Sequence, residues 1–334
     1  MIASFEAIVN SPYALLVIGL ALLVLGGETL VRNSSGLAIR ANIPPLIVGL
    51  TVVAIGTSSP ELFASMQAAW SGSVGIAVGN VVGSNIANLG LALGLTALVR
   101  PLKIDKQLLK MDWPILMVVT LLFVSLSLDG VYSRLDGVIF LSGMTFYMVV
   151  QVMRSRKMKS KMEKESLEEN SEPDSPGGEE LNQYAKRNYG LLMLWIVIGC
   201  ILLYYGAGLF VEGASEMAHR FGISEHIIGV TVVAFGTSVP EIVASVTAAL
   251  KGQSDLGIGN IIGSNIMNIL LVLGASSVIV DISVDPNMIA GDFWWMLGTT
   301  ALLYPILKIG KKISRLHGAI YLTCYAIYIW QALV

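Results

Sequence analysis

The stretch IVGLTVVAIGTSSPELFASMQAAWSG, from Ile47 to Gly72, returns 180 residues later as IIGVTVVAFGTSVPEIVASVTAALKG, from Ile227 to Gly252. The match continues with VGNVVGSNIANLGLALG from Val78 and IGNIIGSNIMNILLVLG from Ile258. More than half of the 48 positions from Ile47 to Gly94 are identical without a gap, and weaker matches reach back to Gly26 over Gly206. Chance gives only a few identities over such a length. The chain therefore reads as two copies of one structural unit.

The composition says where those copies sit. Of 334 residues, 54% are hydrophobic and 13% charged, against about 45–50% and 25% in soluble domains. Sixteen of the 44 charged residues lie between Met153 and Asn188, leaving 28 for the other 298 positions. So few charges do not clothe a soluble surface of this size, and the excess apolar surface must face lipid. That excludes a soluble enzyme, a secreted disulfide scaffold and a nucleic-acid-binding domain. Cys200 and Cys324 sit far apart in apolar segments and read as small buried side chains. The first apolar segment lacks a basic leader and is followed by more spans, so it reads as a retained helix rather than a cleaved signal peptide.

Runs of about 20 apolar residues mark membrane helices. The expected spans are Tyr13–Val31, Pro44–Ala69, Val74–Val99, Trp113–Leu128 and Leu135–Val152, then Gly190–Val211, Glu225–Leu250, Leu256–Val280, Met288–Leu307 and Leu316–Val334. With these ten, one side collects the stretches 32–43, 100–112, 153–188, 251–255 and 308–315, which hold 19 of the 21 Lys and Arg residues. Only Arg134 and Arg220 fall on the other side. The positive-inside rule then puts both termini outside and residues 153–188 in the cytoplasm of a plasma-membrane protein. That segment begins basic, turns acidic and contains Pro173, Pro176, Gly177 and Gly178, which fits a disordered tether.

The expected fold is thus an all-α polytopic membrane protein of ten transmembrane helices, arranged as two inverted-topology five-helix repeats. Its parts are an N-terminal repeat over 1–152 with its motif at 44–99, the loop at 153–188, and a C-terminal repeat over 189–334 with its motif at 224–280. Equivalent spans two and seven are separated by an odd number of crossings, so the copies run in opposite directions. Inverted repeats with a site near the midplane are a transporter signature. Glycines at 26–27 and 206–208 make spans one and six candidates for a flexible, sliding gate.

Each copy places one acid deep in a span, Glu61 and Glu241, within GTSSPE and GTSVPE. Charge at a helix centre costs about 2.5–3.5 kcal/mol, so two acids at matching positions mark function. Pro60 and Pro240 should break each helix at Ser59 and Val239, leaving the carbonyls of Ala54, Ile55, Ala234 and Phe235 to line a cavity. The next span of each copy brings Ser84, Asn85 and Asn88, and Ser264, Asn265 and Asn268; Ser84 and Asn88 share a helix face, as do Ser264 and Asn268. Gly79, Gly83, Gly259 and Gly263 form small-residue packing faces.

With the hydroxyls of Thr57, Ser58, Thr237 and Ser238, this is an all-oxygen donor set. Calcium takes six to eight oxygens in flexible geometry, whereas zinc and copper call for nitrogen or sulfur. Two carboxylates also balance one divalent ion. His219, His226 and His317 lie at span ends and read as interfacial. The nearest rival is a Ca2+/H+ antiporter on the same fold; from other classes come a calcium-permeable channel, which needs no inverted symmetry, and more distantly an intramembrane enzyme, for which no nucleophile–base pair is present.

The doubled GTSxPE and GSNIxN strings resemble the paired alpha repeats of the cation/calcium exchanger superfamily, in particular its sodium/calcium exchangers. The resemblance covers essentially the whole chain. It implies exchange of Ca2+ against Na+, or against H+ in other branches, with no cofactor and no obligate protein partner beyond the lipid bilayer. It also implies central ligands at Glu61, Asn88, Glu241 and Asn268, flanked by Thr57, Ser58, Ser84, Thr237, Ser238 and Ser264. Some relatives, including potassium-dependent ones, carry an acid where this chain has Asn268, which argues against potassium cotransport.

Overall fold

The computed structural model describes residues 11–103, 107–169, 183–221, 234–310 and 312–333. Apart from four two-residue strands, its regular structure is helical. Helix α1 (Pro12–Ala41) starts on a Ser11 cap whose hydroxyl accepts from the Ala14 amide, and stops where Asn42 turns left-handed. Then come α2 (Pro45–Thr57), α3 (Ser59–Trp70), α4 (Val74–Val99), α5 (Leu108–Leu126) and α6 (Arg134–Glu169). The second half contributes α7 (Tyr189–Arg220), α8 (Ala234–Thr237), α9 (Val239–Leu250) and α10 (Ser254–Ile279). It ends with α11 (Pro286–Ala290), α12 (Asp292–Ile309) and α13 (Arg315–Leu333).

Among the described residues, six helices are long and apolar enough to cross a membrane: α1, α4, α5, α6 over Arg134–Met158, α7 over Tyr189–Met217, and α10. The bent pair α2–α3 makes a seventh candidate. Helix α9 is a shorter apolar helix, and the first part of the expected span Glu225–Leu250 lies in residues 222–233, outside the described residues. Helices α12 and α13, with 18 and 19 residues, are diluted by charge, proline and aromatic side chains.

Helices α4 and α10 form the centre. In their apolar windows 78% and 94% of residues are buried, against 28% for α6 and α7. The outer helices turn residues such as Val17, Phe146 and Tyr205 outward, as a lipid-facing ring requires. The repeat is visible in the element bounds. Helix α9 matches α3 residue for residue at an offset of 180, and π-turns at Asn88–Leu93 and Asn268–Leu273 interrupt α4 and α10 at the same register. Strand β1 (Leu102–Lys103) pairs with β4 (Lys312–Ile313), and β2 (Val131–Tyr132) with β3 (Ile282–Ser283). Each ladder therefore ties one half of the chain to the other.

Three expectations are corrected here. The helix break falls at Ser58, with a bend of 44°, and at Ser238, one residue before the expected positions. Ser59 and Val239 open the next helix with proline second in line, where a missing N–H costs no helix bond. The segment 153–188 does not begin as a tether: α6 continues to Glu169, and Arg154 is drawn inside to pair with Asp112. The glycines of spans one and six are not points of flexibility, because α1 and α7 run unbroken through them. Gly26 and Gly206 lie with Gly199 in a seam between the two helices, in which a methyl on Gly26 would stand 2.8 Å from the Leu203 nitrogen, and one on Gly199 2.9 Å from the Leu30 nitrogen, whereas one on Gly208 would meet no described atom within 4 Å outside its own helix backbone. Gly206 meets Leu23 in the same way, at 2.9 Å.

The expected packing faces of α4 and α10 differ. A methyl on Gly259 would lie 3.1 Å from the Gly49 Cα, and one on Gly263 2.8 Å from the Ala54 Cβ, so α10 and α2 touch backbone to backbone. A methyl on Gly83 would meet no described atom within 4 Å outside its own helix backbone.

Candidate functional site

Proline builds the site. Pro60 and Pro240 have no N–H to give to the carbonyls of Gly56 and Gly236, so each helix breaks and restarts, and Glu61 and Glu241 fall in the first turn of the new helix. A helix N-terminus carries partial positive charge, which favours a carboxylate where the membrane otherwise disfavours one. Both glutamates are fully buried. Their charges act on each other.

Around them the chain brings together most of the expected donors. Ser58 donates to Glu241 Oε1 at 3.0 Å, a bond from one half to the other. Thr57 Oγ1 lies 3.0 Å from Asn260 Oδ1 and 3.4 Å from Ser264 Oγ. Thr237 reaches Asn80 Oδ1 at 3.5 Å. Asn268 donates to Asn85 Oδ1 at 3.2 Å, and Asn85 donates to the Asn265 carbonyl at 3.3 Å. Asn88 and Asn268 each open a π-turn. Such a turn widens the helix locally and frees backbone geometry, which is why π-turns recur at functional sites.

Several of these groups are buried without a hydrogen-bond partner among the described residues. They include both carboxylate oxygens of Glu61, Oε2 of Glu241, Oδ1 and Nδ2 of Asn88, Oδ1 of Asn268, and the hydroxyls of Ser84 and Ser238. Buried polar atoms are almost always paired, and an orphan costs about 1–3 kcal/mol. So many orphaned oxygens in one place fit a hard cation, which satisfies several at once. Among the described residues no three His, Cys, Asp or Glu side chains cluster as a resident metal site would require.

The backbone donors are placed less simply. The Ala54 carbonyl accepts from the Ser58 amide at 2.9 Å, and the Ile55 carbonyl accepts from the Ser59 hydroxyl at 2.7 Å. The Ile55 carbonyl has a second lone pair for a cation, while the Ala54 carbonyl also lies 3.5 Å from the Thr57 hydroxyl. Ala234 opens α8 at the position equivalent to Ala54, and Phe235 follows it. His226 lies outside the described residues.

Two pairs escaped the reading of the sequence. Asn80 donates to the Glu61 carbonyl at 3.3 Å and to Ser65 Oγ at 2.9 Å. Asn260 donates to the Glu241 carbonyl at 3.4 Å and to Ser245 Oγ at 3.0 Å. The signal was present, since all four residues recur at the offset of 180.

The comparisons with known proteins agree with this architecture. The family model described as "Sodium/calcium exchanger protein" matches residues 11–153 and 191–334. The sodium/calcium exchanger MaX1 of Methanosarcina acetivorans is 31% identical over 341 residues, covering 95% of this chain and 97% of that protein. The inner membrane protein YrbG of Escherichia coli is 35% identical over 323 residues, covering 96% of both chains. A solved structure of the sodium-calcium exchanger NCX_Mj superposes with a TM-score of 0.77 at 32% identity, covering 95% of this chain and 97% of that one. A multi-pass helical chain with matched motifs and full-length relatives leaves one reading: this protein is a membrane transporter and belongs to the sodium/calcium exchanger family.

Proposed function

We propose that the protein is an antiporter that extrudes cytoplasmic Ca2+ in exchange for Na+ by alternating access. One observation carries this reading: two fully buried glutamates surrounded by orphaned oxygens from both halves of the chain. Glu61 and Glu241 neutralise one Ca2+ between them, with Asn88, Asn268 and the hydroxyls of Ser84, Ser264, Thr57, Thr237, Ser58 and Ser238 completing the oxygen shell, and the carbonyls of Ala54 and Ala234 at its edge. Sodium ions compete for the same oxygens. Because the two cation types take turns, the movement of one is coupled to the other.

The proposed setting is a cell membrane crossed ten times, with halves 1–152 and 189–334 in opposite orientation. The β-ladders support it. In the ten-span reading an even number of crossings separates β1 from β4, and β2 from β3, so paired strands lie on one side of the membrane. The contact of Arg100 with the Ala249 and Leu250 carbonyls obeys the same parity.

The test is uptake of radioactive Ca2+ by proteoliposomes loaded with Na+, K+ or choline, with voltage and pH clamped by ionophores. Uptake that requires internal Na+ is the expected result. Uptake that ignores Na+ and follows an imposed pH gradient would make the protein a Ca2+/H+ antiporter, with the buried glutamates carrying the proton. Uptake with neither gradient would mean a channel.

A further inference from the structure

Asn80 and Asn260 touch no orphaned carboxylate, yet each joins three parts of the site. The direction of the bonds that Asn260 makes is fixed. The Glu241 carbonyl only accepts, so it takes the Asn260 Nδ2, which also donates to Ser245 Oγ; that turns Oδ1 toward Thr57. Asn260 Oδ1 only accepts, and at 3.0 Å it is the nearer acceptor for the single proton of the Thr57 hydroxyl, the Ala54 carbonyl lying at 3.5 Å. The lone pairs of Thr57 are then left facing away from Asn260, on the side where Ser264 Oγ lies. A hydroxyl ligates a cation only through its lone pairs, so a hydroxyl whose proton is held elsewhere is preset for the ion. The same geometry recurs at Asn80, which holds the Glu61 carbonyl and Ser65 and faces Thr237 at 3.5 Å.

We infer that Asn260 and Asn80 are positioning residues that aim the hydroxyls of Thr57 and Thr237 at the transported cation, each tying the broken helix of one half to the threonine of the other. The inference rests on the proposed cation transport. Its consequence is mechanical as well as electrostatic. A cation that pulls on Thr57 in the first half pulls through Asn260 on the backbone of Glu241 in the second, so occupancy is sensed by both broken helices. The two links are unequal. Asn260 is buried and its threonine contact is 3.0 Å, whereas Asn80 is half-buried and its contact is 3.5 Å.

The test is a double-mutant cycle of Asn260→Ala and Thr57→Val, read as the apparent Ca2+ and Na+ affinities in proteoliposome exchange and as the ion-induced rise in melting temperature of the purified protein. Each single variant is expected to weaken apparent affinity on the order of tenfold. The double variant should lose little more than either alone, because Asn260 acts through the Thr57 proton. Losses that multiply would assign Asn260 a merely structural role and overturn the inference. Should Asn260→Ala yield no folded protein, the cycle of Asn80→Ala with Thr237→Val decides by the same criterion, with smaller single effects expected. A wild-type protein that moves no Ca2+ in any gradient would refute the proposed function, while the melting shifts would still decide the cycle.

Discussion

Glu61 has neither carboxylate oxygen hydrogen-bonded among the described residues, whereas Glu241 has one held by Ser58. At the scale of single residues this sorts the variants. Glu61→Gln or Glu241→Gln removes one charge from a site that must balance two. At an effective dielectric of about 20, a unit charge about 4 Å away is worth roughly 4 kcal/mol, on the order of a thousandfold in Ca2+ affinity. Both variants should therefore abolish Ca2+ uptake at micromolar Ca2+ while eluting as folded protein in detergent. Wild-type flux from either would remove that residue from the site. Ser58→Ala keeps the site charge and deletes a hydrogen bond to a charged acceptor, worth about 1.5–3 kcal/mol, together with one neutral hydroxyl of the proposed shell. Its expected outcome is a weakening of about ten- to a hundredfold, measured by Ca2+ titration of uptake.

At the scale of elements, the residues that were legible in the sequence are those that the repeat quotes twice. Glu61 and Glu241, the prolines before them and the GSNIxN strings stand out because no packing need explains an acid in a membrane helix. What stayed hidden depends on partners far away in the chain. Arg154 reads as one charge of a basic run, yet its guanidinium pairs with Asp112, 42 residues earlier, and donates to Gln151 Oε1 at 3.0 Å and Gln107 Oε1 at 3.2 Å. Gly26 and Gly206 read as flexible until α1 and α7 are seen to pack against each other. Breaking a buried ion pair on one side costs about 3–5 kcal/mol, while replacing both partners with apolar residues is often neutral. Arg154→Met should thus lower the melting temperature sharply, and Asp112→Leu added to it should recover most of the loss. A milder single effect would mean that the α5–α6 joint does not depend on the pair. The crossing of α2 and α10 has no such remedy. A Cβ on Gly259 would stand 3.0 Å from the Leu50 nitrogen and 3.1 Å from the Gly49 Cα, both backbone atoms. Gly259→Val should push the helices apart and destabilise the protein by at least about 1–3 kcal/mol, visible as a lower melting temperature or lost yield.

For the whole molecule the decisive quantity is which loops share a side of the membrane, because the opposed orientation of the two repeats follows from it. Nineteen of 21 Lys and Arg residues fall on one side in the ten-span reading. The ladders add an independent constraint of a different kind, since hydrogen-bonded strands lie at the same depth whatever the charge of their neighbours. Cysteine labelling tests both at once. In a background with Cys200 and Cys324 replaced by alanine, single cysteines at the exposed positions Ser73, Asp129, Lys110 and Arg156 sample four connections. A membrane-impermeant maleimide applied to intact cells should label Ser73→Cys and Asp129→Cys at once. Lys110→Cys and Arg156→Cys should react only after lysis. The reverse pattern would keep ten spans and invert the protein, overturning the proposed orientation while leaving Ca2+ driven outward by the inward sodium gradient. Ser73 and Asp129 on opposite sides would break the alternation itself: the crossing α4–α5 would then carry a different number of passes, and the two broken helices bearing Glu61 and Glu241 would not enter the membrane from opposite faces.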